Sequence, residues 1–212
     1  MWYRAAIPVV GCRLLEEIVR IIAGSCRGRV VRAPAGVLTR PTLARVKESL
    51  FGILQWKVPG ARILDLYAGS GGLGMEALSR GAEHAVFNDR SKSCAALVRE
   101  NLKTLGLDAR ATTLCMDAAA ALEFLKEKGF SFDVAFLDPP YTEGAQGALE
   151  ALFSLGLMNA DGVVAVEHAW DQPPEEKQGA LKCVDRRRYG DTAISFFRSD
   201  QTELVFQTCP KK

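Results

Sequence analysis

The run Ile63-Leu64-Asp65-Leu66-Tyr67-Ala68-Gly69-Ser70-Gly71-Gly72-Leu73-Gly74 constrains this chain more than any other segment. A short apolar stretch enters a glycine cluster and leaves it into helical spacing, which predicts a strand, a tight turn and a helix. Glycine suits such a turn for two reasons. It reaches backbone angles closed to other residues, and without a Cβ it lets a ligand lie against the main chain near the N–H groups of the helix start. Tyr67, Ala68, Gly69, Ser70, Gly71 and Gly74 are therefore candidate cofactor contacts. The string Gly69 to Gly74 also reads G-x-G-x-x-G, so the turn alone admits a nicotinamide dinucleotide and S-adenosylmethionine equally. Asp65 bears on that choice. A carboxylate beside the turn repels a pyrophosphate and suits the ammonium end of a methionine moiety, although it can also serve backbone donors at the strand end.

After Pro59-Gly60, short apolar runs alternate with helical segments, with strands predicted near 62–66, 84–88, 110–115, 132–137 and 162–167. Continuous apolar runs such as Val134-Ala135-Phe136-Leu137 suit parallel strands covered on both faces, so the fold class expected is doubly wound α/β. Cys94, Val98, Leu102 and Leu105 mark one stripe of a helix over 91–105. Asp89 follows the second strand, where an acidic residue would meet a ribose diol. Asp117 follows the third, and either binds an adenine amine or caps the helix Ala118–Lys128. Leu181–Asp185 and Ala193–Phe197 read as a closing hairpin joined by Arg186-Arg187-Arg188-Tyr189-Gly190-Asp191.

The fourth strand ends in Asp138-Pro139-Pro140-Tyr141, at the edge where open α/β sheets place ligands. The lone pair of an exocyclic amine on a nucleobase is delocalised into the ring, which makes it a poor nucleophile. The Asp138 carboxylate and the Pro139 carbonyl can each accept one amine N–H, aiming the lone pair at a methyl donor and stabilising the charge that develops on nitrogen. Pro140 stiffens the loop and keeps Pro139 extended, and Tyr141 offers a face for stacking. A base in structured nucleic acid must be turned out of its stack to reach such a pocket.

Upstream of the turn, Ile21-Ile22 and Val30-Val31 flank a glycine-containing turn and predict two short strands. Thr42 is expected to cap a helix that turns Leu43, Val46, Leu50, Phe51 and Leu54 inward and Arg45, Lys47 and Glu48 mostly outward. The formal net charge is only +2, yet Val19 to Lys47 holds Arg20, Arg27, Arg29, Arg32, Arg40, Arg45 and Lys47 and no acidic residue. Local charge of this kind attracts a polyanion, so Arg27, Arg29, Arg40, Arg45, Lys47 and, from the later basic cluster, Arg188 are candidate RNA contacts.

At 212 residues and 48% hydrophobic, the chain is long enough for one well-buried core and a small appendage. The organisation expected is an N-terminal extension without defined structure (1–18), a basic RNA-binding segment (19–55), a methyltransferase domain (56–198) and a tail (199–212). The six cysteines are scattered without C-x-x-C spacing and only His84 and His168 are present, so no metal site is expected. The apolar run before Cys12 is interrupted by Pro8 and too short for an export signal, and no stretch reaches the roughly 18 apolar residues of a membrane span. A cytoplasmic monomer without membrane association is expected.

Together these residues resemble the RsmD family of bacterial 16S ribosomal RNA guanine-N2 methyltransferases. The likeness runs from Arg20-Ile21-Ile22-Ala23-Gly24 through Gly28-Arg29, Thr39–Thr42, Arg45–Glu48, Leu64–Gly71 and Glu76–Ala82 to Asp138–Tyr141 and Arg188–Thr192. It implies a seven-stranded sheet with its last strand antiparallel, a small basic N-terminal unit, S-adenosylmethionine as cofactor and a guanine of small-subunit RNA, in a particle or assembly intermediate, as target. It also implies Asp138 and Pro139 as amine acceptors with Tyr141 stacking. Gly72 stands where the family commonly has alanine, and Asn88-Asp89-Arg90 replaces a strand end that more usually bears Glu. Residues 1–18 precede the usual family start and read as an extension or a misassigned start. An adenine-N6 methyltransferase acting on DNA or RNA, a protein-glutamine methyltransferase, a nicotinamide-dependent oxidoreductase and a non-catalytic RNA-binding protein are the competing readings.

Overall fold

Alternate residues along the central strands point to opposite faces, and each face carries its own apolar core. The computed structural model describes residues 18–33, 41–140, 144–178 and 181–199. The readings made for 1–17, Arg40, Tyr141 and 200–212 lie outside the described residues. In chain order the elements are β1 (Ile18–Arg20), β2 (Val30–Arg32), α1 (Pro41–Ile53), β3 (Arg62–Asp65), α2 (Gly72–Ser79), β4 (His84–Asn88), α3 (Lys92–Leu105), β5 (Ala111–Leu114), α4 (Ala118–Glu127), β6 (Phe132–Leu137), α5 (Gln146–Ser154), β7 (Met158–Ala169), β8 (Lys177–Gln178), β9 (Leu181–Tyr189) and β10 (Thr192–Ser199).

The main sheet has the order β5-β4-β3-β6-β7-β10-β9-β8. From β5 to β7 all neighbours are parallel, while β10 is antiparallel to both β7 and β9. This is the expected seven-stranded arrangement, with the two-residue β8 added at the edge. Val46, Leu50 and Phe51 of α1, Met75 and Leu78 of α2 and Val98 and Leu102 of α3 cover one face, against Ile63, Phe87, Phe136 and Phe196. Leu122 and Leu125 of α4 and Leu149 and Leu152 of α5 cover the other, against Leu64, Val86, Ala135 and Val164. The sheet is thus doubly wound, which places every β–α connection that faces a ligand along the carboxyl edge of β3 to β7.

The N-terminal hairpin is part of the core. β1 and β2 pair antiparallel, and Ile21, Cys26 and Val31 are buried on the α1–α3 face. Buried polar groups fasten it there. Glu76 of α2 accepts the N–H of Ile22 and Ala23 at 2.8 and 3.0 Å, and Ser79 Oγ accepts Cys26 N–H at 2.9 Å and donates to the Ala23 carbonyl at 2.6 Å. Gly24 is needed at this contact: its φ is +84°, and a Cβ there would stand 1.9 Å from the Ser79 carbonyl oxygen.

Four local expectations are corrected. Pro41 opens α1 and Thr42 lies inside its first turn, in keeping with proline's fixed φ suiting the first helical position. Lys47 points inward, where it pairs with Glu76 at 3.3 Å. The fifth long strand starts at Met158 instead of near 162. Arg186, Arg187 and Arg188 belong to β9, so the closing turn is confined to Gly190-Asp191, with φ +67° at Gly190.

Candidate active site

The glycine turn between β3 and α2 is held from beneath and from the side by two carboxylates. Asp65 Oδ2 accepts the N–H of Gly74 at 2.9 Å, below the turn, and Asp89 Oδ2 accepts the N–H of Gly69 at 2.8 Å. Gly71 caps α2 with φ 80°, and its N–H reaches the Ala68 carbonyl at 2.6 Å. Gly74 is small for a different reason, since a Cβ on it would stand 2.3 Å from the Phe87 ring. Nothing lies within 4 Å of a Cβ built on Gly69, whose φ is +53°, so the main chain there is open to a ligand.

Asp65 is buried and its carboxyl is raised from 3.8 to about 7. Burial is the main cause and the Gly74 N–H opposes it. The charges of Asp138 and Asp89 raise it further, and Lys47 pulls it down. The charges of Asp138 and Asp89 thus both bear on Asp65 beside the turn. That field disfavours a pyrophosphate and favours a cation such as a sulfonium or an ammonium. The residues present fit S-adenosylmethionine on this ground, with Gly69 giving backbone access and Asp89 beside it at the end of β4 as the carboxylate that could accept from a ribose diol. Both Asp89 oxygens already accept backbone N–H, from Gly69 and, at 2.8 Å, from Ser91, yet each keeps a further lone pair.

Asp138 follows β6 directly, beside the end of β3, where Leu66 N–H reaches the Phe136 carbonyl at 3.2 Å. Its residue surface is open to solvent on one side, but surrounding protein dehydrates the carboxyl and raises it to about 6. Pro139 is buried and Pro140 exposed. The two prolines border a cleft of about 280 Å³, whose other walls include Ala145, Glu167, His168, Ala169 and Pro173. Asp138 and the glycine turn are therefore brought to the same edge of the sheet, as their sequence positions predict.

Asp117 caps α4, accepting Ala119 N–H at 3.0 Å, which is the second of the two roles expected of it. Asn88 is a site residue that pattern reading missed. Its buried amide donates to the carbonyls of Leu66 and Met116 at 3.2 Å each and accepts Met116 N–H at 3.3 Å, tying the ends of β3, β4 and β5 together. A polar residue closing an apolar strand was its only signal. Asn101 was also missed. From α3 it donates to the Ser70 carbonyl at 3.1 Å and to that of Arg32 at 2.9 Å, joining the glycine turn to the hairpin.

The basic candidates divide. Lys47 is withdrawn from any RNA face by burial. Arg29 donates to the Leu105 and Thr104 carbonyls at the end of α3, a use that suits a cation at a helix C-terminus. Arg27 and Arg45 are exposed, and Arg27 lies in the turn that packs on Ser79, at the opposite end of α2 from the glycine turn. Arg188 stacks on Trp170, its guanidinium carbon 4.7 Å from the ring centre, next to the cleft residue Ala169.

Comparison with known proteins agrees with this geometry. The family described as Conserved hypothetical protein 95 matches residues 19–198. YlbH of Bacillus subtilis is 41% identical over 181 residues, covering 85% of this chain and 98% of that protein. Ribosomal RNA small subunit methyltransferase D of Haemophilus influenzae is 37% identical over 158 residues, covering 73% of this chain and 81% of its own length. The solved structure of yhhF from Escherichia coli superposes with a TM-score of 0.76 at 26% identity, over 86% of this chain and 98% of that one. With a family match that takes in the hairpin, the glycine turn and Asp138 alike, the chain belongs to the RsmD family.

Proposed function

We propose that this chain transfers a methyl group from S-adenosylmethionine to the exocyclic N2 amine of a guanine in small-subunit ribosomal RNA. The observation that carries the reading is Asp138, a carboxylate with no hydrogen bond or ion pair to any described residue, at the same sheet edge as an open glycine turn. Ribosomal RNA methylation is the coarser activity that the relatives' names support. The choice of the guanine N2 amine rests on the family resemblance.

In this reading Asp138 and the Pro139 carbonyl accept the two amine hydrogens and fix the direction of the nitrogen lone pair. S-adenosylmethionine, when bound, supplies an activated methyl on a sulfonium whose charge is lost on transfer. As the N–C bond forms and the C–S bond breaks, positive charge grows on the nitrogen beside the Asp138 carboxylate, which then takes the departing proton. The raised position of Asp138 makes it a competent acceptor for that proton near neutrality. Pro139 and Pro140 hold the loop rigid along one wall of the cleft. Stacking of the base is assigned to Tyr141.

The acting form is proposed to be a monomer on RNA already folded in a small-subunit particle, which co-sedimentation with under-methylated particles tests. For the reaction itself, purified protein, labelled S-adenosylmethionine and under-methylated small-subunit RNA or particles are combined. Labelled N2-methylguanosine is the expected product, and Asp138→Ala is expected to lower turnover about 1,000-fold while sparing cofactor binding. A fully active D138A would reject the role of Asp138.

A further inference from the structure

We infer that Glu167 selects guanine over adenine, its carboxyl group pairing with the N1–H and O6 positions that lie next to the target amine. This inference rests on the guanine-N2 reading above.

The amine acceptors cannot make the choice. Adenine and guanine both offer two amine hydrogens, and Asp138 and Pro139 would hold either. Discrimination needs a second group beside Asp138 that reads the next atoms along the base edge. In guanine these are N1–H, a donor, and then O6, an acceptor. In adenine they are N1, an acceptor, and then C2–H, which offers nothing.

Glu167 stands at that place. β6 and β7 run parallel with Leu137 opposite Val166, so Asp138 and Glu167 follow as neighbours at the carboxyl edge. Glu167 lines the same cleft as Pro139 and Pro140. Its partner on that wall, His168, is already used: Nδ1 meets the Ala169 carbonyl at 2.7 Å and Nε2 meets Ser195 Oγ at 2.8 Å. The Glu167 carboxyl has no hydrogen bond or ion pair to any described residue, although it is half-buried. A half-buried carboxyl without a protein partner keeps its hydrogen-bonding atoms available to a ligand on the cleft wall.

The charge state suits the pairing. Burial and the neighbouring Asp138 charge raise Glu167, and the two carboxyls titrate near 6 and near 8. Around neutrality they share one proton. With Asp138 ionised on its open side and Glu167 protonated, the Glu167 carbonyl oxygen accepts N1–H while its hydroxyl donates to O6. Guanine then gains two hydrogen bonds and adenine at most one.

The test replaces the methylated guanosine of small-subunit RNA with 2-aminopurine, by ligation of a synthetic segment and assembly with ribosomal proteins. This base keeps the N2 amine but presents a bare N1 and no O6. Wild-type protein is expected to prefer guanosine by at least about 100-fold in kcat/KM, since a site built to hydrogen-bond a substrate strongly rejects an analogue lacking the groups. Glu167→Ala should reduce the preference to within about fivefold. Glu167→Gln, which keeps one acceptor and one donor, should retain most of it. The same ratios read from affinities of the S-adenosylhomocysteine-loaded protein decide the matter for a variant without turnover. Glu167→Ala that weakens both RNAs in proportion overturns the inference, as does Glu167→Gln behaving like Glu167→Ala. A wild-type product other than N2-methylguanosine instead rejects the parent reading, so the two failures are distinct.

Discussion

Lys47 of α1 and Glu76 of α2 form a buried ion pair, Nζ to Oε2 at 3.3 Å, beneath the loop that carries Ile22 and Ala23. Glu76 also accepts Arg80 Nε at 2.8 Å, so one fully buried carboxylate serves four donors. The pair makes the N-terminal hairpin a fixed part of the domain that holds the glycine turn.

Glu76→Ala should therefore destabilise the protein by about 3–5 kcal/mol, because it leaves Lys47 buried without its counter-charge. Denaturant unfolding measures the loss. Hydrogen exchange should show the backbone of Ile22 and Ala23 losing protection before the central strands do. A variant that unfolds within about 1 kcal/mol of wild type would refute the clamp.

Neighbouring glycines should respond in opposite ways to a methyl group. At Gly72 a Cβ meets Val19 Cγ1 at 3.5 Å, an ordinary contact, and Gly72→Ala should stabilise by about 0.5–1 kcal/mol. At Gly74 the Cβ enters the Phe87 ring, and Gly74→Ala should cost about 1–3 kcal/mol and weaken cofactor binding. Thermal melting of both variants checks the contrast.

Asp65 links pH to stability. Its carboxyl is raised in the folded protein, from 3.8 to about 7, so the fold binds that proton more tightly than the unfolded chain does. The resulting stability is fully present below about pH 4 and is lost as pH rises through about 7. Asp65→Asn cannot ionise and can still accept Gly74 N–H. Relative to wild type it should gain stability from pH 4 to pH 8, on the order of a few kcal/mol, as denaturant titrations across that range would show. A difference independent of pH would mean that Asp65 is not strained by its charge.

The carboxyl edge of the sheet was largely legible in the sequence, because each of its parts carries a local signature. Gly71 and Gly69 need unusual backbone angles, and Asp138 ends an apolar run before two prolines. The α/β order followed from strand and helix spacing alone. Lys47 was misplaced because its inward turn depends on Glu76, 29 positions along the chain, and charge pattern treats both as surface residues. Asn88, Asn101 and Glu167 were missed for the same reason: their roles lie in contacts or registers between segments distant in sequence.

The rate of methylation should depend on the ionisation of Asp138. Loss of hydration raises this carboxyl to about 6, and its ionised form is the one that stabilises the charge developing on the amine and takes the departing proton. The value of kcat/KM should fall about tenfold per pH unit below about 6. A profile flat between pH 5 and pH 7 would contradict the assignment.

The most direct measurement is nucleoside mass spectrometry of under-methylated small-subunit RNA after incubation with the purified protein and S-adenosylmethionine. The account predicts one new N2-methylguanosine per RNA, absent when Asp138→Ala replaces the wild type. N6-methyladenosine, or unmethylated RNA with the wild-type protein on assembled particles, would contradict it.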